Sequence, residues 1–197
     1  MTQRVVLASS NEGKVKEFSE LLAGCDTTVI PQSDFAVPDA DETGLTFVEN
    51  AILKARNASA HTDLPAIADD SGIEVDFLNG APGIYSARYA GQGGSAANND
   101  KLLKALSGVD EEQRGARFQC LLVYLQHADD PTPIICQGTW EGRILTSPQG
   151  EAGFGYDPLF FVPEENCSAA ELSAERKNQL SHRGQALRCL LAALRSA

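Results

Sequence analysis

The sequence predicts an α/β protein with a mixed β-sheet, and three observations predict it. Apolar runs of strand length alternate with stretches of helical period over residues 4–78. Two long apolar runs, 116–128 and 132–145, flank the turn sequence DDP and predict an antiparallel hairpin. Such a hairpin interrupts the alternation of strand and helix that builds a parallel sheet, so the sheet contains strands of both directions.

Each element has its own signal in the sequence. Strands are predicted at 4–9, 28–31, 64–68 and 73–78, and an apolar strand follows the glycines of 150–155. Helices are predicted at 14–23, where Gly24 ends the helix, and at 100–107. Capping boxes, Thr46 with Glu49 and Ser168 with Glu171, predict two further helix starts. The last helix begins at about Ser181 and buries a stripe of leucines: Leu187, Leu190, Leu191 and Leu194.

Composition and charge limit the kinds of partner. The 197 residues are enough for one substantial core or two small lobes, and their apolar content of 43% is that of a globular protein. A net charge of −11 argues against binding a nucleic acid polymer, which requires a basic surface. A single nucleotide in a small basic pocket is still compatible with that charge.

The cysteines and the apolar runs indicate a compartment. The five cysteines are odd in number and form no CxxC pair, which suits reduced thiols better than disulfides or a zinc site. No apolar run approaches the length of a membrane span or a signal peptide. We therefore expect a cytoplasmic protein without a membrane partner.

Residues 5–18, VVLASSNEGKVKEF, pass from a strand to a helix through small polar residues. The first turn of a helix has unpaired N–H groups and partial positive charge, and Lys14 adds a full charge, so a phosphate would bind here. The alternative is an ordinary helix cap, since Ser and Asn are preferred capping residues. The stretch is not a Walker loop, because Ala8 and Val15 stand where that motif has Gly and Ser or Thr.

Residues 66–72, AIADDSG, place two carboxylates at the predicted end of an apolar strand. Ligand sites in α/β sheets lie at such ends. In an extended chain Asp69 and Asp70 point to opposite sides, so one of them faces the site. That carboxylate would bind Mg²⁺ or take a proton from water. The alternative is a simple Asp-Ser-Gly turn.

Acidic residues also cluster before the helix that begins at Thr46. In DADETG, residues 39–44, Glu42 is the best candidate for a second Mg²⁺ carboxylate. The alternative is a solvated acidic loop that favours the helix dipole. Lys54, inside the same helix, would reach a phosphate or stay in solvent.

Two C-terminal segments are candidates for binding a base. GEAGFGYDPLFF, residues 150–161, has three glycines that permit close backbone contact, and Phe154 or Tyr156 would stack on a base. The alternative is a glycine-rich turn with core aromatics. In LSHRGQAL, residues 180–187, His182 and Arg183 occupy a first helical turn, where a cation opposes the helix dipole. They would read a purine, or Arg183 would pair with a nearby carboxylate.

Taken together, six segments resemble the inosine triphosphate pyrophosphatase family, in the order and spacing of its bacterial branch. They are SSNEGK, ETGLTFVENAILKA, AIADDSG, GAPGIYSARYAG, GFGYDPLF and SHRGQAL. The resemblance extends over nearly the whole chain, from about Val5 to Leu194. Ser9 departs from the family, which often has Thr there, and keeps the hydroxyl. The segment GQGGSAANN, residues 91–99, supports no inference.

The resemblance implies a fold and an activity. The expected fold is α/β, one domain over residues 1–197 with two lobes around a central mixed β-sheet and a substrate cleft between the lobes. The expected enzyme is a homodimer that uses Mg²⁺ to hydrolyse the purine nucleoside triphosphates dITP, ITP and XTP to the monophosphate and pyrophosphate, and so removes them from the nucleotide pool.

The resemblance also implies roles for residues. Asp70 is the proton acceptor, Glu42 and Asp70 bind the metal, and Ser71 contacts substrate. The phosphate loop is Ser9, Ser10, Asn11, Glu12, Gly13 and Lys14. The base-recognition residues are Phe154, Gly155, Tyr156, Asp157, Lys177, His182 and Arg183. Two other functions stay open, a pyrophosphatase for a different nucleotide and a nucleotide-binding regulator without catalysis. Retention of Glu42, Asp70 and Lys14 together argues against the regulator.

Overall fold

A computed structural model describes residues 3–22 and 27–196 of the chain. Seven strands form one sheet in the order β2-β1-β3-β4-β5-β6-β7. The strands are β1 Gln3–Leu7, β2 Thr27–Pro31, β3 Ala66–Val75, β4 Gly115–Leu125, β5 Ile134–Ile144, β6 Phe160–Val162 and β7 Cys167–Ser168. The helices are α1 Glu12–Leu22, α2 Phe47–Thr62, α3 Gly94–Ala105, α4 Ala174–Leu180 and α5 His182–Ser196. None of the helices in these ranges is long and apolar enough to cross a membrane.

The sheet is mixed, as predicted. Strand β1 pairs in parallel with both β2 and β3. Side-chain contacts show that β4 and β5 run antiparallel, because Arg117 meets Glu141 while Gln119 meets Thr139. Strands β5, β6 and β7 are also antiparallel neighbours. The predicted hairpin around DDP is therefore confirmed.

Several local predictions are confirmed and three are wrong. The Thr46–Glu49 capping box is present at the start of α2. One continuous strand, β3, replaces the two strands predicted on either side of residues 69–72. Helix α3 begins at Gly94, six residues before the predicted start. Helix α4 is capped by Ser173, whereas Ser168 lies in β7 with its N–H bonded to Glu171. The predicted helix end at Gly24 lies outside the described residues.

Two compact units divide the described residues. Unit 1 comprises those of Met1–Asp70, Cys120–Gly138 and Arg183–Ala197, and unit 2 comprises Ser71–Gln119 and Thr139–His182. In unit 1, α5 covers one side of the strands with Leu187 and Leu190, and α2 packs the alanines Ala51, Ala55 and Ala58 on a second cluster. Unit 2 has its own core around Phe118, Trp140 and Phe160. Whether the chain is one domain with two lobes stays a prediction.

Candidate functional site

The turn between β1 and α1 has the geometry of a helix cap. The side-chain oxygen of Asn11 accepts a hydrogen bond of 3.1 Å from the Lys14 N–H, and Ser9 Oγ accepts one of 3.2 Å from the Asn11 N–H. Glu12 and Gly13 follow as the first residues of α1. The helix cap and the phosphate-binding interpretation are compatible. The cap uses the Asn11 side chain and the backbone N–H of Lys14, whereas the Lys14 ammonium group lies beside Asp69.

Ser10 is tied to residues that sequence reasoning missed. Its hydroxyl donates to Asp39 Oδ1 at 2.6 Å, and the side chain of Gln32 donates to both groups, at 2.9 Å to Ser10 and 2.8 Å to Asp39. Gln32 is buried, with 4% of its surface exposed. These bonds fix the turn from the side of the 3₁₀ helix Gln32–Phe35. No local pattern in the sequence connects these three residues.

Asp69 is the centre of a buried charge network. Its carboxylate is fully buried and accepts from Lys14 Nζ at 2.9 Å and from Arg183 Nε at 3.3 Å. Arg183 also pairs with Glu17 of α1 at 2.7 Å. Two cations therefore share a carboxylate in a site where unpaired charge would be costly. Of the two open interpretations of Arg183, the structure shows the pairing with carboxylates; contact with a base stays a prediction.

A thiol completes the surroundings of Asp69. Cys120 of β4 is fully buried, and its Sγ donates to Asp69 Oδ1 at 3.2 Å. Burial, reinforced by the charge of Asp69, raises the pKa of the Cys120 thiol well above its usual value, so the sulfur keeps the proton that it donates. Sequence analysis assigned Cys120 no role beyond a reduced thiol.

Asp70, next in β3, has a different partner. Its Oδ1 accepts from Lys54 Nζ at 2.6 Å, and the same ammonium group lies 3.1 Å from Glu42 Oε1. The two carboxylates predicted to bind the metal are thus bridged by a lysine of α2. Because β3 is extended through this region, Asp69 and Asp70 point to opposite sides, and the simple turn is wrong. The site lies within the strand and not at its end.

The two neighbouring carboxyl groups have pKa values displaced in opposite directions. Burial alone would raise the pKa of Asp69, but the charges of Lys14, Arg183 and Lys54 outweigh it and hold that pKa far below its usual value. Burial dominates at Asp70 and raises its pKa, against the charge of Lys54. Asp69 therefore stays ionised, while Asp70 is the better proton acceptor.

Glu42 and Asp70 fit a magnesium ion chemically. Both are carboxylates with partial access to solvent, 28% of the Glu42 side chain and 10% of that of Asp70. Mg²⁺ prefers one or two carboxylates and completes its shell with water and substrate phosphates. No cluster of three or more His, Cys, Asp or Glu side chains suited to a metal occurs in residues 3–22 and 27–196. Two carboxylates alone would leave such an ion open to water and to substrate phosphates.

In unit 2, Asp157 organises the predicted base-binding segment. Its Oδ2 accepts from the Phe154 N–H at 2.8 Å and from Lys177 Nζ at 2.9 Å. The Lys177 ammonium group also lies 4.9 Å from the centre of the half-buried Phe154 ring. A side chain at Gly153 would collide with the Asp157 carboxylate. The predicted residues Phe154, Gly155, Asp157 and Lys177 are thus brought together.

Tyr156 and His182 lie deeper than the sequence suggested. The Tyr156 ring belongs to the core of unit 2, and its hydroxyl donates to the Ser86 carbonyl at 2.8 Å. The His182 ring stacks on Phe118 with centres 4.8 Å apart and planes 9° apart. Of the proposed stacking rings, Phe154 is the accessible one. Ser71 is half-buried in β3.

The fold and these residues define an α/β protein with a capped helix start next to a lysine and with paired carboxylates in a neighbouring strand, an arrangement that suits enzymes acting on nucleoside phosphates. The chain belongs to the Ham1 family, whose model matches residues 5–193.

Relatives agree with this assignment over nearly the full length. The chain is 67% identical over 189 residues to a "dITP/XTP pyrophosphatase" of Thioalkalivibrio sulfidiphilus, covering 95% of this chain and 96% of the relative. It is 61% identical over 193 residues to the Vibrio cholerae protein of the same name, covering 98% and 96%. The resemblance drawn from the six sequence segments is confirmed.

Solved structures share the fold. A HAM1 protein from Coxiella burnetii matches with a TM-score of 0.91 and 49% identity, covering 99% of this chain and 100% of that one. The Staphylococcus aureus Ham1 protein matches with a TM-score of 0.87 and 43% identity, covering 98% and 99%. The predicted fold class is therefore confirmed.

Proposed function

We propose that this protein hydrolyses non-standard purine nucleoside triphosphates, dITP, ITP and XTP, to the nucleoside monophosphate and pyrophosphate, and so keeps them out of DNA and RNA. The observation that carries the proposal is the pair of adjacent carboxylates in β3. Asp69 pairs with Lys14 and Arg183, and Asp70 shares the Lys54 ammonium group with a second carboxylate, Glu42. The names of the close relatives support this substrate class.

The phosphate groups bind to the start of α1 in this proposal. Ser9, Ser10, Asn11, Glu12, Gly13 and Lys14 supply backbone and side-chain donors, and Ser71 adds a hydroxyl. Lys14 stabilises negative charge on the phosphate oxygens as the bond to pyrophosphate breaks. Asp69 keeps the Lys14 ammonium group in place through its 2.9 Å ion pair.

Asp70 accepts the proton of the attacking water. The water oxygen bonds to the phosphorus next to the sugar, the bond from that phosphorus to the pyrophosphate oxygen breaks, and the proton passes to Asp70. Asp70 is a candidate for this role because its carboxylate lies beside Glu42 and Lys54 and has partial access to solvent.

Glu42 and Asp70 hold Mg²⁺ in this proposal. When bound, the ion neutralises the triphosphate and polarises its oxygens. Lys54 already places a positive charge between the same two carboxylates.

The base contact centres on Phe154 in this proposal. Phe154 offers an aromatic face, and the buried pair of Asp157 and Lys177 supplies a fixed charge and hydrogen-bonding groups beside it. A 6-oxo group accepts hydrogen bonds, whereas the 6-amino group of adenine would face donors, and such a mismatch costs about 1–3 kcal/mol. Gly155, Tyr156, His182 and Arg183 keep their predicted roles in the base contact, with the carboxylate pairing of Arg183 as the competing role.

We further propose that the enzyme is a cytoplasmic homodimer. The four described cysteines are free thiols, which suits a reducing compartment. Sedimentation at several protein concentrations tests the dimer, and fractionation of cells tests the compartment.

Pyrophosphate release from dITP, XTP, dATP, dGTP and dUTP, with Mg²⁺ or with EDTA, tests the function. We expect rapid release from dITP and XTP only, and only with Mg²⁺. Preference for dUTP would favour the alternative of a different nucleotide. Binding of dITP without any release would favour the regulator.

A further inference from the structure

The segment 153–157 contains two glycines in a conformation that an ordinary side chain would strain. Gly153 and Gly155 both have positive φ angles, +78° and +65°. Glycine takes such angles as readily as ordinary ones, so these two residues make the backbone of the segment easy to deform. Contacts from outside the segment therefore help to hold the Gly155 carbonyl in place.

A side chain from a distant helix holds the Gly155 carbonyl. Asn99 of α3 donates from Nδ2 to the Gly155 carbonyl at 3.1 Å, across 56 residues of sequence. The bonds of Asp157 to Phe154 and Lys177 fix the segment on either side of this peptide.

The orientation of the Gly155 carbonyl determines the direction of the Tyr156 N–H in the same peptide. In a trans peptide the C=O and N–H groups point in opposite directions. With the Gly155 carbonyl held towards Asn99, the Tyr156 N–H is directed away from it. This N–H makes no hydrogen bond within the part of the chain that the structure describes. A displaced carbonyl would carry this N–H with it, because the two groups belong to one planar peptide.

The position of Asn99 leaves one of its polar atoms without a hydrogen bond, which is unfavourable for folding. Its Oδ1 is buried and has no hydrogen-bond partner among residues 3–22 and 27–196. A leucine of similar size would bury no unsatisfied oxygen. A local rule broken beside a candidate site points to function.

We propose that Asn99 is a positioning residue that sets the base preference of the enzyme. By holding the Gly155 carbonyl, it keeps the Tyr156 N–H available as a donor, which suits the 6-oxo oxygen of a purine and opposes the 6-amino group of adenine. The inference rests on the proposed function, because it assigns Asn99 to the base contact of that reaction.

The test compares kcat/KM for dITP and for dATP in the parent and three variants. Asn99→Leu removes the donor, and Asn99→Asp keeps the shape but turns an oxygen towards the carbonyl. Asp100→Leu, at an exposed neighbour on the same helix, is the matched control. We expect both Asn99 variants to lower the dITP/dATP ratio about tenfold, the effect of one hydrogen bond. Asp100→Leu should keep the parent ratio.

Thermal melting separates positioning from simple support of the fold. Asn99→Leu should melt at or above the parent, because it buries no unpaired oxygen. A ratio within about twofold of the parent in Asn99→Leu, or an equal fall for both substrates, would overturn the inference. If Asn99→Leu does not fold, the Asn99→Asp ratio decides. A parent that releases no pyrophosphate from dITP refutes the proposed function as well, whereas an active parent with unchanged variant ratios refutes the inference alone.

Discussion

Substitution of the two adjacent carboxylates by asparagine should separate stability from catalysis. We expect Asp69→Asn to weaken the fold strongly and Asp70→Asn to abolish turnover. The reason is their different partners: Asp69 balances Lys14 and Arg183, whereas Asp70 contacts Lys54, which also has Glu42.

The loss of folding stability expected for Asp69→Asn follows from the burial of Asp69. Its side chain is fully buried, and an amide cannot balance the two cations that it contacts. Removing one partner of a buried ion pair costs about 3–5 kcal/mol. Arg183 keeps Glu17, and Lys14 is 15% exposed, so the lower end applies. About 3 kcal/mol in a chain of this length lowers the Tm by about 6–12 °C.

Asp70→Asn should change the Tm in the opposite direction to Asp69→Asn. The raised pKa of Asp70 means that the ionised carboxylate is less favourable in the folded protein than in the unfolded chain. Asp70→Asn removes that penalty and should melt at or above the parent at pH 7. Turnover should fall about 10²- to 10⁴-fold, the contribution of a general base. Asp69→Asn should lose less turnover than Asp70→Asn.

Thermal melting and pyrophosphate release from dITP, measured on the same preparations, give both quantities. The reasoning is refuted if Asp69→Asn melts within about 2 °C of the parent, since about 3 kcal/mol predicts a larger shift. It is refuted for Asp70 if the turnover of Asp70→Asn stays within about tenfold of the parent value, which corresponds to roughly 1.4 kcal/mol in the activation free energy.

The pH dependence provides a further check on Asp69. Its folded pKa is lowered, so its stabilisation is complete above the unfolded pKa of about 3.9 and is lost as the pH falls towards the folded value. The difference in Tm between the parent and Asp69→Asn should therefore be constant near neutral pH and shrink below about pH 4. A difference that grows on acidification would contradict the assignment.

Substitutions at three further positions, Lys14, Cys120 and Arg183, test neighbouring contacts. Lys14→Ala should raise KM for dITP about tenfold or more, as expected for a lost charged hydrogen bond; unchanged kinetics would leave the turn as a cap only. Cys120→Ala should lower kcat/KM, because Cys120 donates a hydrogen bond to Asp69, and Cys120→Ser should restore kcat/KM because a hydroxyl can donate the same bond. Cys136 is another buried thiol of the same apolar cluster, and Cys136→Ala should lower only the Tm. Arg183→Ala should lower the Tm, because Asp69 loses one of its two cations, and should lower the dITP/dATP ratio of kcat/KM about 10- to 100-fold, because the guanidinium group contacts the base in the proposed function. An equal fall in kcat/KM for both substrates would leave Arg183 with the carboxylate pairing alone.

The sequence predicted elements whose determinants are local. The Thr46–Glu49 capping box is such a case, because its donors and acceptors lie within one helical turn. The hairpin around DDP is another, since its apolar runs and turn residues are contiguous. The helix wrongly expected from Ser168 shows the limit of this reasoning. The Glu171 carboxylate does accept the Ser168 N–H, but in a turn after β7 and not in a helix.

Strand β3 could not be predicted as one element for a physical reason. Two carboxylates and a glycine, Gly72, read locally as a turn because buried charge is costly. The strand continues because each carboxylate meets cations from other parts of the chain, Lys14 of α1 and Arg183 of α5 at Asp69, and Lys54 of α2 at Asp70. The tertiary partners remove the cost that the local pattern implied.

Arg183 shows how a sequence marks a position without revealing its partner. A cation in a first helical turn opposes the dipole by several tenths of a kcal/mol, which identified the position as unusual. The structure explains it by two carboxylates, Glu17 and Asp69, that lie 166 and 114 residues away in the chain. Ion pairs at a buried site outweigh the dipole term several-fold. With 27 acidic residues in the chain, no local pattern selects these two, because the selection is made by the packing of α5 against α1 and β3.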